Sequence, residues 1–308
     1  MHFGVHAGLQ NTTTAELQSL WRRIEDHGFE WISVWDHFYA ADASISKDGG
    51  VTSGYQCLEA LTTHTALALS TTKVQCGSLV YCAGYRNPAV LAKSIATIDQ
   101  LSGGRVVLGL GGGWHQGEYH AYGIPFPSVG ERLRILEEAI QCVRLLFTEE
   151  VANFDGEHFQ LRDARLEPKP VQERLPLVVG GGGEKVTLRI AAQHADGWNL
   201  AFTSPEIYRQ KVEVLARHCE ANDRDPASIS KSVNLTLAWK EEDLVRQFGG
   251  AAEYIGANAL KGSAQQVIDR IGEYRDAGAE MVILALRAPF DVDGLDRFAG
   301  EVLAAFSR

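Results

Sequence analysis

Short runs of apolar residues alternate along this chain with longer stretches in which apolar residues recur every three or four positions. The first pattern marks buried strands and the second amphipathic helices. Phe3 to Ala7 reads as a strand. Ala15 to His27, with Leu17, Leu20, Trp21 and Ile24 at helical spacing behind a threonine-rich cap, reads as the helix after it. The same rhythm predicts strands over 31–35, 74–80 and 106–110 and helices over 58–69, 88–101 and 131–147. Pro88 stands in the first turn of its helix, where a missing N–H costs nothing. Strands over 177–179, 197–201, 232–239 and 281–286 follow, with helices over 185–194, 205–222, 264–277 and 295–306. Eight strand–helix pairs predict an α/β fold, a closed (β/α)8 TIM barrel forming one domain over 1–308. A doubly wound open sheet is the rival reading of the same alternation.

One stretch breaks the rhythm. Residues 151–161 read as a hairpin closed by an Asp155-Gly156 turn, and 165–176 as a proline-bearing connection. The region from about 150 to 176 is therefore expected to be an insertion between the fourth and fifth strand–helix units.

Composition narrows the function. The 308 residues suit one barrel, and a hydrophobic share of 45% is ample for its core. A formal charge of −10 argues against nucleic acid or an anionic membrane as partner, since both call for a concentrated basic surface. No apolar run reaches the length of a membrane span, and the start lacks a basic segment followed by an apolar one. The five cysteines form no CxxC pair, which points to a reducing, cytoplasmic setting and away from a zinc site.

Active sites of such barrels lie on the loops that follow the strands. The strand ends carry His6-Ala7-Gly8, Asp36-His37, Leu79-Val80-Tyr81, Gly111-Gly112-Gly113-Trp114-His115, Gly180 to Gly183, Trp198-Asn199 and Leu286-Arg287. Asp36-His37 has the clearest chemical meaning: an imidazole can pass a proton near neutral pH, and a neighbouring carboxylate can fix its tautomer. Gly180 to Gly183 precede a helix expected to open near Glu184, an arrangement suited to a phosphate. The second glycine run is suited to close packing against a planar ring, with Trp114 as a candidate wall and Glu118 and Tyr119 able to face inward. Arg86 is a candidate for an anionic tail or a solvated side chain, and Glu59 for a helix start or the pocket. His64, His120, His158, His194 and His218 show no metal-ligand spacing and read as structural, and no serine sits in a nucleophile elbow.

Together these stretches resemble the luciferase-like monooxygenase superfamily, and within it the F420-dependent oxidoreductase branch, over nearly the whole chain. The resemblance is carried by Gly28 to His37, Tyr85 to Lys93, Asp99 to Arg105, Leu108 to Trp114, Pro168-Lys169-Pro170, Gly180 to Glu184 and Ala195 to Asn199. It implies coenzyme F420 as cofactor, with FMN, supplied reduced by a partner reductase to a monooxygenase, as the alternative. It implies a small-molecule substrate and a homodimer. It places the catalytic histidine at His37 with Asp36 beside it, and a cis peptide at Leu79–Val80 backing the cofactor ring. The ring-side glycines fall on Gly112 and Gly113, next to Trp114, and the phosphate-binding ones on Gly181, Gly182 and Gly183, next to Glu184. The sugar-phosphate dehydrogenase branch has a tryptophan four residues after the histidine. Ala41 stands there, which speaks against a sugar phosphate.

Overall fold

A computed structural model describes residues 1–40 and 56–306. Eight parallel strands close on themselves: β1 His2–Ala7, β2 Trp31–Val34, β3 Gln75–Ser78, β4 Val106–Gly111, β5 Leu177–Gly180, β6 Gly197–Ala201, β7 Ser230–Ala238 and β8 Met281–Leu286. β8 pairs with β1 in the register Leu284 to Val5, and β1 with β2 as Val5 to Ile32. The (β/α)8 expectation holds, and the open sheet is excluded by that closure.

The principal helices are α1 Thr14–Asp26, α2 Ala60–Ser70, α3 Pro88–Ser102, α4 Val129–Thr148, α5 Thr187–His194, α6 Pro205–Glu220, α7 Ala264–Asp276 and α8 Val292–Phe298. Their ends follow the capping signals. Thr13 and Glu16 form a capping box at α1, Asn87 caps α3 ahead of Pro88, and Gly103 ends α3 with φ +69°. The main core lies between the strands and this outer ring. A second, smaller core fills the barrel itself, where Trp31 packs with Leu79, Val107, Val178 and Ile283. Gly77 leaves room for that ring: a Cβ there would lie 2.1 Å from the Trp31 indole.

Three features depart from the expectation. The hairpin of 151–161 exists, as Ala152–Asp155 paired with Gln160–Ala164, but Asp155-Gly156 is not its two-residue turn. Asp155 still pairs with Gln160, and the loop is Gly156 to Phe159, because Glu138 of α4 accepts the amide N–H groups of 157, 158 and 159 at 2.8–3.0 Å. The third predicted strand breaks after Ser78 and resumes as Tyr81–Cys82 against Leu110 and Gly111. Short helices at Gln116–Ala121, Glu241–Phe248 and Ala252–Gly256 were not foreseen. Among the described residues no helix is long and apolar enough to cross a membrane.

Candidate active site

A cavity of about 480 Å³ opens at the C-terminal ends of the strands. His37, Leu79, Val80, Gly112, Trp114 and Gly181 all line it, and so do His6, Asn234 and Arg287. These residues, from seven of the eight strands or from the loops that follow them, thus meet in one cup of a size usual for a small-molecule ligand.

Val80 belongs to its apolar lining. The Leu79–Val80 peptide is cis, as the resemblance implies. The Val80 side chain sits over glycines of the two neighbouring strands: a Cβ at Gly111 would lie 2.6 Å from it, and one at Gly180 2.9 Å. The packing of the valine therefore requires a glycine at both positions. Gly113, at φ +73°, is also fixed by packing, since a Cβ there would lie 2.5 Å from both Cys82 Sγ and Tyr119 OH. Gly112 is the more open member of the run.

His37 is held by Glu118. Its Nδ1 lies 2.9 Å from Glu118 Oε2. The same carboxylate accepts from Tyr85 OH at 2.7 Å, Phe38 N–H at 2.7 Å and Tyr39 N–H at 3.0 Å. Burial opposes charge on Glu118, but the bonds from His37, Tyr85 and the backbone outweigh it and hold the carboxyl below its usual range. An ionised carboxylate with all its neighbours donating leaves Nδ1 of His37 protonated, so Nε2 is the nitrogen free to exchange a proton. Nε2 has no hydrogen bond to a described residue. Trp35 and Trp114 brace the ring edge-on at 5.4 and 5.5 Å.

Asp36 does not orient His37. Arg86 grips both its oxygens at 2.6 and 2.9 Å, and Cys82 N–H donates to it at 2.9 Å. Burial pushes the Asp36 carboxyl up against the pull of Arg86. Arg86 also bonds Glu59 at 2.5 Å, and Glu59 caps α2 through Thr62 N–H. Arg86 is thus neither solvated nor free for a cofactor tail. It ties the start of α2 to the end of β2.

The later glycine loop reaches the cavity only through Gly180 and Gly181. Gly182, Gly183 and Glu184 do not line it. Gly181, at φ +124°, turns the chain; Gly182 packs on Leu200, Gly183 faces Thr187, and Glu184 pairs with Lys211 at 2.8 Å. The helix they were expected to open begins later, at Thr187.

Glu118 was visible only as a residue able to face inward. It stands 81 positions from its partner, on a six-residue helix, and no local pattern joins the two. His6 is buried and close to Arg287 and His37; burial first, then those charges, push it down to about 3, which makes it a neutral wall. His64 is structural as expected, held between Tyr81 OH and the Cys76 carbonyl. Among the described residues no cluster of His, Cys, Asp or Glu could hold a metal ion. Ala41 and most of the 39–55 loop lie outside the described residues.

Residues 1–255 match the family described as luciferase-like monooxygenase. The chain belongs to the luciferase-like monooxygenase family. An uncharacterised protein of Mycobacterium tuberculosis is 33% identical over 188 residues, which is 58% of this chain and 64% of that protein's own length. An F420-dependent glucose-6-phosphate dehydrogenase of Kineococcus radiotolerans is 29% identical over 79% of this chain and 69% of its own. An FMNH2-dependent dimethylsulfone monooxygenase of Pseudomonas putida is 27% identical over 71% of this chain and 64% of its own. An F420-dependent secondary alcohol dehydrogenase shares the fold, with a TM-score of 0.85 at 22% identity over 98% of both chains. This luciferase-like chain therefore has relatives that use either cofactor.

Proposed function

We propose that the chain is an F420-dependent oxidoreductase that transfers a hydride between the deazaflavin and a small organic substrate. The observation that carries this reading is His37: one nitrogen is committed to an ionised carboxylate and the other has no partner among the described residues, in a side chain that lines the cavity. Adding or removing a hydride at carbon changes the charge of its neighbouring atom, and a positioned imidazole neutralises that change.

The residues present suit such a cofactor. The lining at Leu79 and Val80 is apolar, and Gly112 and Gly181 let a ligand approach the backbone. When bound, a deazaflavin supplies or accepts the hydride. The chain's own part would be to hold such a group against Leu79, Val80 and Gly112 and to keep Nδ1–H of His37 on Glu118. His37 then passes a proton through Nε2. We read Asp36, Trp114 and Gly113 as shaping this wall. A cytoplasmic homodimer is the reading supported by the cysteine usage and the family resemblance.

Equilibrium titration of the purified protein with F420 and FMN in parallel tests the cofactor. Tighter binding of F420 is expected. Tighter binding of reduced FMN, with oxygen consumption, would instead support a monooxygenase fed by a partner reductase.

A further inference from the structure

The apolar lining at Leu79 and Val80 has a polar counterpart across the barrel. The eight strands form a closed ring, in which β7 stands four places from β3 in either direction. On that far side Asn199 of β6 and Asn234 of β7 line the cavity, at 5% and 4% exposure. Their strand neighbours Trp198, Val233 and Leu235 lie in the outer core, so alternation turns the two asparagines into the barrel. His6 of β1 adds a neutral imidazole, tied through Nδ1 to Ser33 Oγ at 2.8 Å.

The two amides are joined on one side only. Asn199 Nδ2 donates to Asn234 Oδ1 and to Ser232 Oγ, each at 2.9 Å. Asn199 Oδ1, an acceptor, and Asn234 Nδ2, a donor, have no partner among the described residues, and neither atom is sealed off from the cavity. Exchanging oxygen and nitrogen in both amides reverses which residue donates and still leaves one donor and one acceptor open. Oxygen and nitrogen of one amide are roughly 2.3 Å apart, so the open atoms lie within about 7.5 Å of each other. A ligand with N–H and C=O on one edge spans up to about 8 Å with a hydrogen bond at each end, enough to meet both.

We infer that Asn199 and Asn234 together recognise the substrate, and that the substrate carries an uncharged cyclic amide, a lactam or imide with N–H beside C=O. This rests on the reading above that a deazaflavin lies against Leu79 and Val80, which leaves the far wall to the substrate. A ligand that fills the cavity excludes water from both open atoms, so one without the matching groups leaves a buried donor or acceptor unpaired. An open-chain secondary amide points its N–H and C=O apart across a trans bond and presents only one of them to the pair. A carboxylate has no N–H for the open oxygen and brings a charge among neutral groups. Arg287, the cation that also lines the cavity, is engaged between Trp35 and Phe248, 4.9 Å from each ring centre.

The test is proton–nitrogen NMR of the protein saturated with oxidised F420, following the assigned side-chain amides of Asn199 and Asn234 as 2-pyrrolidinone, cyclopentanone or succinate is added. 2-Pyrrolidinone and cyclopentanone differ only in N–H against CH2. The proposal predicts that 2-pyrrolidinone shifts both amides and binds at least about 10-fold tighter than either other compound. Asn234→Leu should bind it no more than about 2-fold tighter than cyclopentanone. Equal binding of cyclopentanone overturns the proposal, and so does tighter binding of succinate. It also falls if F420 alone shifts both amides and 2-pyrrolidinone no longer binds, since the pair then reads the cofactor's own imide edge. If F420 fails to bind while the free protein keeps its preference for 2-pyrrolidinone, the cofactor reading falls and the lactam site stands. Should Asn234→Leu fail to fold, the wild-type comparison alone decides.

Discussion

Nδ1 of His37 lies 2.9 Å from Oε2 of Glu118, and this contact joins the end of β2 to the short helix that follows β4. It decides which nitrogen of the histidine faces the ligand. Glu118 does so because four donors converge on a side chain with no exposed surface.

Glu118→Gln therefore sets an amide NH2 against at least one of those donors. Stability should fall by about 2–3 kcal/mol, since a buried charged acceptor is lost. Turnover should fall by about 100-fold while cofactor affinity changes little. Urea denaturation and steady-state kinetics on one preparation check both.

The Arg86–Asp36 pair is predicted to be structural. Arg86→Met leaves a buried carboxyl without its cation and should cost about 3–5 kcal/mol. Adding Asp36→Asn to that variant should recover part of the loss. A double-mutant cycle in urea reads the coupling directly.

The glycines under Val80 should be far less tolerant than an open one. Gly111→Ala forces Val80 out of place and should destabilise by about 1–3 kcal/mol while weakening cofactor binding. Gly130, in α4 with nothing near its Cβ position, should accept alanine with a gain of about 0.5–1 kcal/mol. Thermal midpoints of the two variants should move in opposite directions.

Two buried histidines make stability fall in mild acid. Burial holds His6 at about 3 and His64 at about 4, against 6.5 for a free imidazole. Below pH 6.5 the unfolded chain takes up protons that the native chain refuses. Each group's contribution is then complete above 6.5 and lost as pH falls toward its native value, by about 1.4 kcal/mol per pH unit. Unfolding free energies measured from pH 7 to 5 should show this slope, and His64→Gln should reduce it by about half.

The barrel was legible because each strand and helix writes its own period, and caps such as Thr13, Asn87 and Gly103 write their ends. His37, Val80 and Gly112 were legible as strand ends, which the barrel brings to one face. Glu118 was not, because its partner comes from another strand end and nothing local marks the pairing. The glycines misled in part for a related reason. A glycine run records only that space is tight, and at Gly111 and Gly180 the occupant is Val80. Asp36 misled because adjacency in sequence put it beside His37, while Arg86 claimed its oxygens in space.

The most direct test of the account compares wild type with His37→Ala under anaerobic conditions, measuring F420-coupled turnover and F420 affinity on the same samples. The account predicts turnover lower by at least about 100-fold with the dissociation constant nearly unchanged. Turnover at the wild-type level, with F420 bound as before, would contradict it.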